Sequence, residues 1–115
     1  MIHTMRLWDA PFNMIKMGLK TIELRLYDEK RREVQIGDTI RFICANDQYR
    51  SLEAKVIALH RFDNFSQLYE QLPLEKCGYL PEEIPNASSA DMEVYYSLSK
   101  QQNYGVVGIE ICLLE

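Results

Sequence analysis

The sequence predicts one α+β domain: a small, mixed but mainly antiparallel β-barrel flanked by short helices. Three observations point there. The chain has 115 residues, which suits one compact domain spanning 1–115 and leaves no room for two. Its strand-like segments follow one another directly instead of alternating with long helices, which argues against a parallel doubly wound sheet. A Val- and Ile-rich segment comes last, placed to return beside an early strand and cover an exposed edge.

Taken in order, "HTMRLW" (3–8) alternates enough for a first short strand. "DAPFNMIKMG" (9–18) reads as a short helix, with Pro11 in its first turn, Gly18 as a left-handed stop, and Phe12 and Ile15 as the buried stripe. "KTIELRLY" (20–27) has period 2, with Ile22, Leu24 and Leu26 on one face and Thr21, Glu23, Arg25 and Tyr27 on the other. The polar stretch 28–38 is expected to be a loop ending in the Gly37-Asp38 turn. Residues 39–44 form the next strand, 46–48 a hairpin turn, and 51–62 a long strand with Leu52, Ala54, Val56 and Ala58 on one face. Residues 64–72 then read as a helix capped by Asn64, with Phe65, Leu68 and Leu72 inward. The proline-bearing stretch 73–88 is expected to be irregular. Residues 89–99 read as a helix capped by Ser89, and 103–115 as the final strand.

Composition narrows the function classes. Hydrophobic residues make up 47% and charged residues 26%, as in a soluble globular domain. The formal net charge of −4 argues against a protein that coats long nucleic acids, because such affinity comes mostly from phosphate neutralisation; it leaves a local basic cleft open. Cys44, Cys77 and Cys112 are odd in number and far apart, with no CxxC pair or Cys/His cluster. Reduced thiols in a cytoplasmic protein, with neither metal nor cofactor, are the expectation. The first residues, "MIHTMRLWDAPF", have no long apolar h-region, and no apolar run approaches the ~20 residues needed to span a bilayer, so no membrane association is expected.

The chemistry concentrates in "GLKTIELRLYDEKRREVQIGD" (18–38). On a strand, Thr21, Glu23 and Arg25 share a face, and Lys20 at the preceding turn can swing toward it. A cation, a hydroxyl, a carboxylate and a guanidinium would then meet at one cleft mouth. The plain alternative is a solvated strand face with a Glu–Arg contact worth little. Lys30, Arg31 and Arg32 fall in the expected loop, where they either hold phosphate or simply balance Asp28, Glu29 and Glu33. Arg61 and Tyr104 are further candidates for the same cleft edge; Tyr95 and Tyr96 either stack a base or pack as cleft-edge residues. His60 has no nucleophile or metal partner at recognisable spacing and reads as a hydrogen-bonded strand-end histidine. No P-loop, dinucleotide fingerprint, nucleophile elbow or HExxH occurs.

The order helix, G-x-K-T-x-E-x-R, then G-D before the next strand, carried by Gly18, Lys20, Thr21, Glu23, Arg25, Gly37 and Asp38, resembles the opening of an ASCH (activating signal cointegrator homology) domain. "ALHRFDNFSQLYEQLPLEKCGY" and "YGVVGIEI" are also similar to small stand-alone bacterial members, so the resemblance covers nearly the whole chain. It implies a PUA-like β-barrel with a charged cleft beside the K-T-x-E-x-R strand and an RNA or nucleotide-like ligand there. One branch looks like an amidohydrolase that removes the acetyl group from N(4)-acetylcytidine, using the motif Lys, a Thr two residues beyond the K-T threonine, and a later Glu. Carried over, the Lys falls on Lys20, and the Thr position falls on Glu23 or one beside it. A carboxylate cannot replace a hydroxyl nucleophile, although it can serve as general base toward water. For the later Glu, Glu82, Glu83 and Glu93 are all candidates. Three readings follow: a binding module, a small amidohydrolase with Lys20 and Glu23 catalytic, and an interaction domain using the Met14 and Met17 side of the first helix.

Overall fold

A sheet of five strands, ordered β1-β3-β4-β5-β2, curls into a half-barrel in the computed structural model, which describes residues 1–114. The strands are β1 (Ile2–Leu7), β2 (Ile22–Leu26), β3 (Thr39–Cys44), β4 (Asp47–Phe62) and β5 (Val106–Leu113). Only β1 and β3 run parallel; β3–β4, β4–β5 and β5–β2 are antiparallel. The last strand does return to an early one, β2, and is inserted between β2 and β4. The expected mixed, mainly antiparallel architecture is therefore present, with β1 and β2 as its two edges. Residue 115, the end of the strand expected over 103–115, lies outside the described residues.

The core has two parts, one on each side of β2 and β5. Inside the curl, α1 (Asp9–Lys16) lays Phe12 and Ile15 against Ile40, Phe42, Val56, Val107 and Ile109. On the other side, Ile22, Leu24 and Leu26 meet Phe65 and Leu68 of α3 (Phe65–Gln71), with Val106. Asn64 caps α3 as expected, its side chain accepting from the Gln67 N–H. β5 serves both layers, so Val106, Val107, Gly108 and Ile109 are all buried. Gly108 is pinned for want of space. A methyl group there would sit 2.8 Å from Leu72 Cδ1 and 3.1 Å from Ile22 Cγ2. Gly108→Ala is expected to cost about 1–3 kcal/mol by overpacking, lowering the thermal midpoint by several degrees; an unchanged midpoint would show that Leu72 simply rotates away.

Four local expectations need correction. The stretch after β2 is not all loop: Glu29–Arg32 form a one-turn helix, α2, because the Asp28 side chain caps it by accepting from the Arg31 N–H. In β4 the alternation slips at a bulge between Val56 and Ala58, so Leu59 rather than Ala58 packs against the core. The helix expected over 89–99 is a 3-10 turn, Ser89–Val94, and residues 81–86 form another. The true helix is α4 (Leu98–Tyr104), capped by Ser97 and ended by Gly105 in the left-handed region at φ 74°, so the final strand starts at Val106 instead of 103.

Candidate functional site

Between the sheet edges β1 and β2 lies a cleft of about 680 Å³. Local structure explains what lines it. After α1 the chain turns through Gly18, at φ 79°, and the N–H groups of Leu19 and Lys20 both bond back to the Met14 carbonyl. This tight wrap delivers Lys20 immediately before β2. The Lys20 stem then runs beside Gly78, where a Cβ would come within 3.3 Å of Lys20 Cδ and the backbone holds φ 106°. No other residue suits both constraints as well.

Lys20, Glu23 and Arg25 converge, and they are buried. Lys20 Nζ sits 2.8 Å from Glu23 Oε1, and Arg25 Nε sits 2.7 Å from Glu23 Oε2, so each carboxylate oxygen faces one cation. The Glu23 side chain is 4% exposed, against 11% for Lys20 and 13% for Arg25. The solvated strand face is thereby excluded: β2 is covered on both sides. Burial pushes the Glu23 carboxyl up, but the Lys20 and Arg25 charges and hydrogen bonds outweigh it and hold its pKa below the usual carboxylate range. Arg25 also donates from Nη2 to the Arg6 carbonyl, 2.9 Å away. That bond spans the gap between β2 and β1, satisfying a carbonyl on the outer edge of the half-barrel.

The opposite wall comes partly from α3, through Tyr69, and mostly from the irregular chain after it, which carries no periodic signal. Tyr79 donates its hydroxyl to Asp91 at 2.7 Å and so must accept from the Tyr69 hydroxyl, also at 2.7 Å. Desolvation and these two bonds push the Tyr79 pKa far up, keeping it a donor. Tyr96 stacks on Phe65 with ring centroids 5.9 Å apart, and its hydroxyl lies beside Arg25. Trp8 and Tyr95 line the same cleft while remaining 63% and 64% exposed, an unusual surplus of aromatic surface. Cys77 is also there, but burial pushes its thiol up to about 11, so it is unreactive near neutrality.

The other expected residues divide. Thr21 does not line the cleft; its backbone accepts from the Ile111 N–H and donates to the Lys76 carbonyl, a structural tie. Lys30 is exposed on α2 and lines neither cleft, and Arg31 faces Asp28 at 3.6 Å with its Nε buried and unpartnered. Arg32, Arg61 and Tyr104 line a separate cleft of about 900 Å³ at the far end of β2. The residues expected at a single cleft edge are therefore divided between two clefts. Among the three later glutamates, Glu83 lines the Lys20 cleft, Glu93 lines the second, and Glu82 lines neither. His60 pairs with Glu110 at 2.9 Å, the strand-end role expected of it. Among the described residues, no group of three or more His, Cys, Asp and Glu side chains gathers as a metal site, and no helix is long and apolar enough to cross a membrane.

Comparison with known proteins adds ancestry. The ASCH domain model matches residues 5–115. The crystal structure of the hypothetical protein PH0355 is similar at 32% identity and TM-score 0.81, over 99% of this chain and 100% of that one. Protein PF0455 from Pyrococcus furiosus, solved by solution NMR, is 35% identical with TM-score 0.71, over 100% and 99% of the two chains. An ASCH protein from Zymomonas mobilis shares the fold at 14% identity and TM-score 0.65, over 96% of this chain and 66% of its own. No curated protein matches significantly.

Proposed function

The chain belongs to the ASCH domain family, and from that premise we propose that it binds RNA or a nucleotide-like ligand in the cleft between β1 and β2. The observation that supports this reading most is the buried Lys20–Glu23–Arg25 set in a cleft whose walls also carry exposed Trp8 and Tyr95. Base-on-aromatic stacking contributes about 1–3 kcal/mol per base and suits these rings. Glu23 spends one contact per oxygen on its cations and keeps lone pairs for a base amino group or a sugar hydroxyl. Lys20 and Arg25 retain donors for a carbonyl or phosphate oxygen. Arg6, Lys20 and Arg25 in the lining are balanced by Glu23, Glu83 and Asp91, so recognition there rests on stacking and directed hydrogen bonds more than on net charge.

Titration with nucleoside monophosphates and with a short labelled oligoribonucleotide at low salt tests the reading. Lys20→Ala and Arg25→Ala are each expected to weaken binding roughly 10- to 100-fold, the value of a charge-assisted hydrogen bond of about 1.5–3 kcal/mol. Absence of any binding by the unmodified protein at low salt would sink it.

A second reading, a small amidohydrolase acting on an acylated nucleoside such as N(4)-acetylcytidine, is favoured by one observation: Lys20 Nζ lies 2.8 Å from a buried carboxylate, with Glu83 in the same cleft. Against it, the cleft offers no threonine hydroxyl, and the Lys20 and Arg25 charges hold the Glu23 pKa low, which makes it a weak base toward water. Incubation with N(4)-acetylcytidine, followed by chromatography for cytidine, separates the two. Release that survives Lys20→Ala would place the base elsewhere, and no release removes the hydrolase.

A further inference from the structure

The second cleft contains two arginines that, among the described residues, enter no ion pair. Arg32 and Arg61 both lie over the single ring of Tyr27, with guanidinium carbons 4.6 Å and 5.3 Å from its centroid. Arg32 donates to the carbonyls of Tyr27 and Tyr104, at 3.0 and 3.2 Å, and Arg61 to the Tyr27 hydroxyl at 3.1 Å. All of these acceptors are uncharged. Among the described residues no carboxylate pairs with either guanidinium, in contrast to Arg25, Arg31, Arg41 and Arg50. Asp63 and Glu93 also line the cleft, but both are exposed and neither reaches ion-pair distance of an arginine. Two cations thus share one aromatic plate with most of their donors unused.

Topology connects this place to the first cleft. Glu23 and Arg25 line the first, and Tyr27, the next residue on the same face of the strand direction, lines the second. The 3-10 turn Ser89–Val94 stands between them, giving Asp91 and Met92 to one and Ser89 and Glu93 to the other. The lining thus passes from the first cleft to the second within one dipeptide of chain, from Arg25 to Tyr27, so the two clefts adjoin along one strand direction.

The geometry points to the Arg32–Tyr27–Arg61 cleft as a backbone subsite for single-stranded RNA, taking a phosphodiester that flanks the nucleotide held by Lys20, Glu23 and Arg25. It rests on the binding reading proposed above and supplies what Lys20 and Arg25 lack, guanidinium groups held in no ion pair among the described residues. Arginine suits the task because its planar fork meets two phosphate oxygens at once and stacks while doing so.

The test compares a nucleoside monophosphate with a ten-nucleotide oligoribonucleotide on the whole chain, carrying Arg61→Gln alone or with Arg32→Gln. Arg61→Gln removes only the interaction with Tyr27, so it folds even if loss of the Arg32 backbone bonds lowers stability. The expected result is a monophosphate affinity unchanged within twofold, an oligonucleotide affinity at least tenfold weaker in the double variant, and a salt slope reduced by about 0.7 for every phosphate no longer neutralised. Oligonucleotide affinity and slope that match the unmodified protein would overturn the subsite while leaving the first cleft standing. Arginine-dependent oligonucleotide binding that is unaffected by Lys20→Ala would remove the first-cleft reading and overturn the placement of the subsite beside a nucleotide held there. No binding of either ligand by the unmodified protein overturns both. Binding of an acidic peptide in place of RNA, lost in the same variants, overturns the RNA assignment.

Discussion

Glu23→Ala is expected to lower the thermal unfolding midpoint by roughly 10–20 °C. The substitution leaves Lys20 and Arg25 facing each other with no carboxylate between them, in side chains only 11% and 13% exposed. Breaking a buried pair from one side typically costs about 3–5 kcal/mol, because the remaining charge stays desolvated. For a domain of this size about 1 kcal/mol moves the midpoint by roughly 4 °C. Were the pair at the surface, the same change would cost at most about 1 kcal/mol and pass unnoticed. The 4% exposure of the Glu23 side chain decides between these cases. A midpoint shift below about 2 °C would mean that Lys20 swings into water at no cost, and that the convergence of the three charges is not a rigid feature of the site.

The same carboxylate sets an acid limb of stability. Its folded-state pKa is held below the unfolded value of about 4.3, so in that range the unfolded chain binds the extra proton. Its contribution is complete above the unfolded pKa and is withdrawn as pH falls through the folded one. Glu23→Gln, which keeps the shape but cannot titrate, is therefore expected to lose stability near pH 7 and to show a flatter decline from about pH 4.5 downward. A decline of unchanged steepness would assign the acid limb to other carboxylates, Asp38 first among them, whose pKa is lowered by its bonds to His3 and the Gln35 N–H.

What could be read in the sequence was whatever repeats with a fixed period. α1 announced itself by Phe12 and Ile15 and by Gly18, and β2 by Ile22, Leu24 and Leu26; the convergence of Lys20, Glu23 and Arg25 followed from the same alternation. The burial of that face did not follow, because its cover comes from Tyr69, Tyr79 and Tyr96, dozens of residues later, the first on α3 and the other two in irregular chain beside the 3-10 turns, where no stripe marks them. Alternation also misled past Val56, since a bulge shifts the register without any glycine or proline to mark it. The split of the basic residues into two clefts is a matter of two positions along β2, from Arg25 to Tyr27, which no local pattern distinguishes.

α4 was missed for a different reason, and it carries the second large effect expected. Its inward-facing residue is not apolar: Gln101 is 2% exposed. Its amide accepts from the Phe65 N–H through Oε1 and donates from Nε2 to the Tyr96 carbonyl, both at 3.1 Å. One side chain thus joins the first turn of α3, the end of the 3-10 turn and α4, and holds the backbone of the tyrosine that walls the first cleft. Gln101→Met, close in volume and unbranched, strands both backbone groups. At about 1–3 kcal/mol for each buried unsatisfied group, the expected cost is about 2–5 kcal/mol, a midpoint lower by roughly 8–20 °C. Hydrogen exchange supplies the sharper readout. The Phe65 amide should lose its protection more than the β3 and β4 amides do, because the effect begins at the junction and not in the sheet. Uniform loss across the sheet would make Gln101 a general core residue, and a midpoint within about 2 °C of the unmodified protein would show that water satisfies both groups in its place.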